Sequence, residues 1–222
     1  MVLYHGSERR IPAPVFGAGN PRNDYGLGFY CTESVELAKE WACQRNADGF
    51  ANRYDFDDAG LNVLDLSQPP YTLLHWLSIL MRNRVFSPKS PVGQRNLQFL
   101  EERRHVDAEA FDVIRGYRAN DSYFSFASDF LENAIPVQSL ATSMRLGSLG
   151  LQVVLKSRKA FSRLVFAGAE PAAASEYGAK YMARDTAARA AYRERLRNLK
   201  PDEAVYLIDI VRNPELLDAL AL

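Results

Sequence analysis

Short β-prone runs alternate along this chain with segments whose apolar residues recur at helical spacing. The strand-like runs lie at residues 2–4, 26–31, 61–66, 111–114, 151–156, 163–167 and 205–211. Helices are predicted at residues 33–42, 71–84, 97–104, 123–132, 137–144 and 185–198, the first of them capped by Thr32. Because both kinds of element are intermixed without a repeating unit, the pattern predicts a mixed α+β fold.

Size and composition predict one globular domain over residues 1–222. Hydrophobic residues make up 47% of the chain and charged residues 24%, which excludes a disordered protein. Since 27 basic residues balance 27 acidic ones, bulk charge does not favour binding to nucleic acid or to an anionic membrane. We find no signal peptide and no apolar run of the ~20 residues that span a membrane, so we expect a cytoplasmic protein without a membrane partner.

Cysteine and histidine are scarce. Cys31 and Cys43 are predicted to be free thiols, and a disulfide between them is the alternative. The 3 histidines show no close ligand spacing, so the sequence predicts no metal site.

A small set of residues lies at the end of the first predicted strand, within two later strands and on the first predicted helix. These residues are His5, Gly6, Ser7, Tyr30, Trp41 and Gln152. Two glycines precede Tyr30 in the segment Gly26-Leu-Gly-Phe, and the loop 143–150 precedes Gln152. Taken singly, each residue has an ordinary structural explanation, such as a hydrogen-bonded histidine, a glycine turn or a core aromatic. Their order and spacing carry more information than any one of them.

That order resembles the ADP-ribosyltransferase superfamily, in the branch that includes diphtheria toxin and the poly(ADP-ribose) polymerases. In that branch a His-Gly pair closes the first strand, a Gly-x-Gly-aromatic-Tyr segment follows, and a helix supplies a second aromatic residue eleven positions later. Gln152 matches the glutamate of a late strand, which makes this a His-Tyr-Gln variant. The closer resemblance is to an uncharacterised, phage-like bacterial family of such domains, and it covers most of residues 2–170. Its pattern is matched at Leu3-Tyr-His-Gly-Ser, Asp24-Tyr-Gly-Leu-Gly-Phe-Tyr, Leu64-Asp-Leu, Leu74-His-Trp-Leu, Asn83-Arg84 and Ala119-Asn-Asp.

The resemblance implies a fold and an activity. The implied fold has two mostly antiparallel sheets around an NAD cleft, with a helical insertion at about residues 68–108 and a C-terminal extension at about 171–222. NAD is the implied substrate, and its ADP-ribose passes to a protein or nucleic-acid acceptor. A role as a bacterial toxin or effector, delivered into a target cell and held in check by an antidote protein, belongs to the same expectation.

Each matching residue has an implied role in the NAD site. Gly6 would hold the nicotinamide carboxamide through its backbone, where the missing side chain allows close approach. His5 and Ser7 would orient ribose hydroxyls. Tyr30 and Trp41 would clamp the cationic nicotinamide ring between two aromatic faces.

Departures from the family pattern affect the expected chemistry. Gln152 would position the ribose 2′-hydroxyl while positive charge develops, but it lacks the full charge of a glutamate. Asp121 is the candidate acid that assists it and contacts NAD, and a turn or helix cap is its alternative role. Ala38 replaces a carboxamide-binding serine of the polymerases, and Gly150 replaces a glutamate of arginine-modifying relatives. The pattern therefore favours mono-ADP-ribosylation over polymer synthesis.

Two other functions fit the same residues. An NAD glycohydrolase would use water as the acceptor. A non-catalytic module would keep the fold and bind a nucleotide, a nucleic acid or a protein, and the presence of Gln152 and Ala38 motivates this alternative. Its partner surface would be the basic stretch 180–200, which lies in a segment with seven bases and three acids, residues 176–200.

Overall fold

Helices and strands are both present, which confirms the predicted α+β class. The computed structural model describes residues 1–84, 86–119, 121–143, 150–198 and 204–216. The strands are Val2–Ser7 (β1), Phe29–Cys31 (β2), Gly49–Phe56 (β3), Val63–Asp65 (β4), Val113–Tyr117 (β5), Leu151–Leu155 (β6) and Leu164–Ala172 (β7). The α-helices are Val35–Ala42 (α1), Leu73–Asn83 (α2), Pro91–Arg103 (α3), Asp121–Leu131 (α4), Val137–Ser143 (α5), Arg158–Phe161 (α6), Ala179–Arg197 (α7) and Leu207–Arg212 (α8).

The strands form two sheets, and most neighbouring strands run antiparallel. The first sheet has the order β1-β3-β7, with antiparallel pairing throughout. The second has the order β2-β6-β5-β4, in which only β4 and β5 are parallel. Tyr4 and Thr32 exchange two backbone hydrogen bonds of 2.8 and 2.9 Å. These bonds hold the free edge of β1 against the end of β2, so residues of both sheets meet there.

The two largest clusters of buried side chains stabilise this arrangement. The smaller one lies between the sheets and joins Leu3 and Phe56 of the first sheet to residues of the second, namely Cys31, Val113, Val153 and Leu155. The larger one is built around α2, where Trp76, Leu77 and Leu80 are almost fully buried. Burying a large apolar side chain contributes about 1.5–3 kcal/mol, so α2 anchors the helical part of the molecule. Both α2 and α3 lie within residues 68–108, where the family resemblance implies a helical insertion.

The structure corrects three sequence-based predictions. Thr32 does not cap α1, because the helix begins at Val35 and the side chain of Ser34 accepts the N–H of Leu37. No strand was predicted where β3 runs, although β3 is the central strand of the first sheet. Residues 205–211 were predicted as a strand, but α8 occupies this position, because burial of Leu207 and Ile210 on one helical face outweighs the β propensity of the segment.

The segment after the second sheet packs back onto the first helix. Arg184 of α7 makes two hydrogen bonds with Glu40 of α1, at 2.9 and 2.7 Å. Lys180 lies 3.3 Å from Glu36 on the same helix. Two cations of the basic stretch 180–200 are therefore paired with acids of this chain, Arg184 with a buried carboxylate and Lys180 with an exposed one.

Three further features of the described residues concern cysteines, metal ligands and membrane-spanning helices. Cys31 and Cys43 are both free and both buried. These residues contain no group of three or more histidine, cysteine or acidic side chains placed to hold a metal ion. None of the helices described is both long enough and apolar enough to cross a membrane.

Candidate functional site

A cavity of about 270 Å³ opens where β1, β2, β6, α1 and α7 meet. Residues from all five elements and from the loops beside them line it: His5, Gly6, Asn23, Asp24, Tyr30, Trp41, Gln44, Arg84, Arg118, Ala119, Gln152 and Tyr181. Five of the predicted site residues belong to this lining, although up to 147 positions separate them along the chain.

His5 lies at the junction of the two sheets as a neutral hydrogen-bonding group. Its Nδ1 is 2.7 Å from the backbone oxygen of Tyr30. A carbonyl oxygen can only accept, so Nδ1 carries the proton and Nε2 presents a lone pair. The ring stacks on Phe29 with 4.3 Å between centroids, and burial lowers the pKa of His5 below its ordinary value. His5 is therefore built to accept a hydrogen bond through Nε2.

Gly6 permits the close approach of α1 to β1. A Cβ atom at this position would lie 2.0 Å from the backbone oxygen of Ala38 and 2.9 Å from the Cβ of Trp41. No side chain fits into that space, so the glycine is required before any ligand is considered. Ala38 is fully buried beneath β1 in this contact.

The backbone of Gly6 points to the free edge of β1. Met1 and Phe56 exchange backbone hydrogen bonds, which places the odd-numbered residues of β1 in the ladder with β3. The even-numbered residues point the opposite way, as the bonds between Tyr4 and Thr32 show. Gly6 therefore directs one N–H donor and one C=O acceptor away from β3, at the edge that borders the cavity.

Tyr30 is fixed in orientation by its own hydroxyl group. The hydroxyl donates to the backbone oxygen of Gly26 at 2.6 Å and accepts the N–H of Tyr25 at 3.0 Å. Burial raises the pKa of Tyr30 far above the usual range of a phenol, so the ring stays neutral. Both partners of the hydroxyl belong to the turn before β2, so these hydrogen bonds fix the ring in place as part of the cavity wall.

Trp41 already carries a planar cation on its ring. The guanidinium carbon of Arg118 lies 3.9 Å from the centroid of the indole. Burial lowers the pKa of Arg118 to about 10, which leaves the group cationic at neutral pH. The Nε1 of Trp41 and one terminal nitrogen of Arg118, Nη1, are buried without a hydrogen-bond partner among the described residues. The face of the indole is thus a surface that binds a planar cation. The Nε1 of Trp41 and the Nη1 of Arg118 are two donors beside it that could bind a ligand.

Gln152 and Asp24 form a buried pair at the floor of the cavity. The Nε2 of Gln152 donates to the Oδ2 of Asp24 at 3.1 Å, and the N–H of Ala119 donates to the same oxygen at 2.8 Å. Arg84 donates to Oδ1 at 2.8 Å. Burial raises the pKa of Asp24, while Arg84 acts against this shift. Since all three neighbours donate, each oxygen of Asp24 only accepts, and the carboxylate is the form that fits.

Asp24 was not predicted as a site residue. The signals in the sequence are its place directly before Tyr25 and the two glycines that lead to Tyr30, and the matches to the family pattern that begin at Asp24, Asn83 and Ala119. Its partners Arg84, Ala119 and Gln152 follow 60 to 128 positions later, so no local spacing could show the cluster. Arg84, Arg118 and Tyr181 were missed for the same reason.

One predicted site residue, Ser7, is not among the described residues that line the cavity. The hydroxyl of Ser7 donates to the backbone oxygen of Arg9 at 2.5 Å and accepts from Asn52 at 3.0 Å. Ser7 borders a neighbouring hollow instead, next to three arginine side chains, Arg9, Arg10 and Arg45. Asp121 is the first residue of α4, and its side chain lies outside the described part of the chain, as do residues 144–149 of the loop before Gln152.

Comparison with known proteins identifies a family. The family model described as a protein of unknown function, DUF3990, matches residues 1–166. No curated protein and no solved structure matches the chain. The matched residues include β1 to β6 and every residue of the cavity lining except Tyr181. Since 166 of the 222 residues are matched, the chain belongs to the DUF3990 family.

Proposed function

We propose that this protein is a mono-ADP-ribosyltransferase, which cleaves NAD and transfers ADP-ribose to a macromolecular acceptor. The observation that carries the proposal is the meeting of His5, Gly6, Tyr30, Trp41 and Gln152 around one cavity. These are the residues whose order resembles the NAD site of the ADP-ribosyltransferase superfamily.

The groups at one end of the cavity suit the nicotinamide half of NAD. The carboxamide has one acceptor and two donors, and Gly6 offers a matching N–H and C=O at the edge of β1. The nicotinamide ring in NAD is a planar cation, and Trp41 already binds the planar cation of Arg118 at 3.9 Å. Cation–π attraction contributes about 0.5–2 kcal/mol at such a face. When nicotinamide takes the place of the guanidinium, Arg118 is released towards the diphosphate of NAD.

The ribose lies between His5 and Gln152 in this proposal. The Nε2 of His5 accepts a hydrogen bond from a ribose hydroxyl. The Oε1 of Gln152 accepts a hydrogen bond from the 2′-hydroxyl of the nicotinamide ribose. The Nε2 of Gln152 is not available for this contact because it donates to Asp24. Both contacts orient the sugar so that its C1′ faces the acceptor.

The reaction needs no acid for the leaving group. The bond between C1′ and the ring nitrogen breaks, and its electron pair leaves with nicotinamide, which becomes neutral. Positive charge passes to the ribose, and the acceptor atom then forms a bond to C1′ and loses a proton. The products are nicotinamide, the ADP-ribosylated acceptor and one proton, which balances the charge of NAD.

The proposal is tested with NAD that carries a label on its ADP-ribose half. The purified protein is incubated with this NAD and a cell lysate, and both nicotinamide release and label in protein, nucleic acid and free ADP-ribose are measured. Release should disappear with His5→Ala and Tyr30→Ala. It should persist with Tyr71→Ala, which removes a partly buried tyrosine that does not line the cavity.

The distribution of the label separates the alternatives. Label in protein or nucleic acid supports a transferase and names the acceptor class. Free ADP-ribose alone indicates an NAD glycohydrolase. Turnover and binding of NAD that are both unchanged in Tyr30→Ala would contradict the proposed site. No turnover in the wild-type protein leaves the non-catalytic binding module as the better account.

A toxin or effector role follows from the same proposal. Transfer of ADP-ribose inside a cell modifies its own macromolecules, so expression of the active protein in bacteria should arrest growth. The arrest should be absent with Tyr30→Ala and present with Tyr71→Ala. An antidote protein would then be found as a partner whose co-expression restores growth to cells that make the wild-type protein.

A further inference from the structure

In the proposed reaction Asp24 contacts neither NAD nor the acceptor, and it reaches the ribose only through Gln152. Asp24 is only 4% exposed, yet it lies among the residues that line the cavity. Taking a carboxylate out of water costs several kcal/mol unless donors surround it. The donors here come from the residue after α2, from β6 and from the backbone that follows β5, so three distant parts of the chain converge on this one side chain.

We infer that Asp24 is a positioning residue for Gln152, and that the two side chains together do the work of a single catalytic glutamate. The inference rests on the proposed function, since it concerns how the ribose 2′-hydroxyl is held. Asp24 acts through Gln152 and touches neither the ribose nor the acceptor in this arrangement.

The first argument concerns the orientation of the amide. A glutamine can present either its oxygen or its NH₂ group to a hydroxyl, and only the oxygen stabilises positive charge on the ribose. The carboxylate of Asp24 can only accept, so it captures Nε2 and turns Oε1 to the other side. Among the described residues, no donor is bonded to Oε1. The pair therefore fixes the productive orientation of Gln152 before NAD binds.

The second argument concerns charge. An amide whose N–H donates to a carboxylate is polarised, and more negative charge collects on its oxygen, since hydrogen bonds in a chain strengthen one another at low dielectric. The anion is then one side chain away from the 2′-hydroxyl instead of in contact with it. Such a site supplies part of the electrostatic effect of a glutamate with a neutral residue at position 152.

The third argument concerns rigidity. Asp24 is held by Arg84 at 2.8 Å and by the N–H of Ala119 at 2.8 Å, independently of Gln152. The backbone of Gln152 is held in the second sheet, where it pairs with Gly116 of β5. Both members of the pair are thus supported by the fold, and neither has to be ordered by the ligand.

The test combines substitutions at both positions and measures nicotinamide release from NAD. Asp24→Asn should lower kcat about tenfold with little change in KM, because a charge-assisted hydrogen bond that matters mostly in the transition state is lost. Gln152→Glu should lower kcat at neutral pH in the wild-type background, because two carboxylates about 3 Å apart share one proton. The same substitution should raise kcat in the Asp24→Asn background, where the glutamate is free to ionise.

The pH profile gives a second readout that does not require Asp24→Asn to fold. Gln152→Glu keeps Asp24 and its contact with Arg84. Its kcat should increase with pH more steeply than that of the wild-type protein, as the shared proton leaves the pair. As a matched control, Asp129→Asn removes a partly buried carboxylate that bonds Tyr192 outside the cavity, and it should leave kcat unchanged.

The outcomes distinguish this inference from the proposed function. If the wild-type protein cleaves no NAD, the proposed function fails. If it cleaves NAD and Asp24→Asn does so at the wild-type rate, only the inference is overturned. Equal signs for Gln152→Glu in the two backgrounds, or a pH profile parallel to that of the wild-type protein, overturn it as well. A reversal of sign together with the steeper profile supports it.

Discussion

Arg184 and Glu40 form a bidentate ion pair that joins α7 to α1. The two hydrogen bonds measure 2.9 and 2.7 Å, and the side chain of Glu40 is 3% exposed. Trp41 follows Glu40 directly, so the same helix that carries the pair also supplies an aromatic wall of the cavity. The contact thus ties the C-terminal segment to the candidate site.

Arg184→Gln should destabilise the protein by about 2 kcal/mol. The substitution leaves the buried carboxylate of Glu40 without its counter-charge, and partial exposure of Arg184 keeps the loss below that of a fully buried pair. Unfolding in urea measures the change. Arg189→Gln on the same helix is the matched control. Arg189 pairs with Asp185 four residues earlier, and neither side chain of this pair is fully buried, so the effect should stay within about 0.5 kcal/mol. Equal effects of the two substitutions would contradict this account of α7.

Gly6→Ala should be severely destabilising even though it adds a single carbon. The new Cβ would lie 2.0 Å from a backbone oxygen of α1, which cannot move without displacing the helix. A loss of about 3 kcal/mol is expected for such overpacking. Gly178→Ala tests the specificity of the effect, because its Cβ would meet the nearest atom at 3.5 Å, an ordinary contact. If Gly6→Ala were as stable as Gly178→Ala in thermal unfolding, α1 could not approach β1 as described.

The stability of the protein should decrease as the pH falls below about 6.5, in part because of His5. Burial lowers the pKa of His5 in the folded protein, while the unfolded chain keeps the ordinary value. Below about pH 6.5 the unfolded chain therefore binds a proton that His5 in the folded protein does not bind, and the free energy of unfolding decreases. His5→Asn keeps a donor for the backbone oxygen of Tyr30 but does not titrate. Urea unfolding between pH 7.5 and 5 should show a shallower decline for His5→Asn, and identical slopes would contradict the prediction.

Binding of a nicotinamide cation should be visible in the fluorescence of Trp41. The chain has 2 tryptophans, and Trp76 is fully buried in the core, with its Nε1 donating to the backbone oxygen of Tyr117 at 3.0 Å. Titration with 1-methylnicotinamide should quench the emission of the wild-type protein and of Trp76→Phe. Trp41→Phe should show no quenching. Persistent quenching in that variant would place the cation elsewhere.

The fold class and most of the elements could be predicted from the sequence, because they depend on local patterns. Five of the cavity residues were predicted from a family resemblance in their order along the chain. Strand β3 was not predicted. Its centre carries Asn52, a fully buried polar residue where a strand usually has an apolar one. The side chain bonds the backbone of His5, Arg9 and Ile11 and the hydroxyl of Ser7, which satisfies it in the core. A residue whose burial depends on a loop some forty positions away leaves no local signal.

The error at α8 has a different origin. Its segment is rich in β-branched and large apolar residues, so propensity favours a strand. The structure shows Leu207 and Ile210 buried in the main core cluster, three residues apart on one face, and Asp209 accepts the N–H of Tyr206 to cap the helix. Tertiary burial decides between the two conformations here, and it depends on α3 and on the other helices of that cluster.

Tyr181 is the cavity residue that lies beyond the matched family segment. The remaining lining comes from residues 1–166, including the Asp24–Gln152 pair and the face of Trp41. Proteins that share these lining residues but continue with an unrelated C-terminal segment would have the same cavity floor and a different residue in place of Tyr181 at its wall. Under the proposed function, selectivity for the acceptor would then change with the helix that follows the matched segment, while the residues proposed to hold NAD would stay the same.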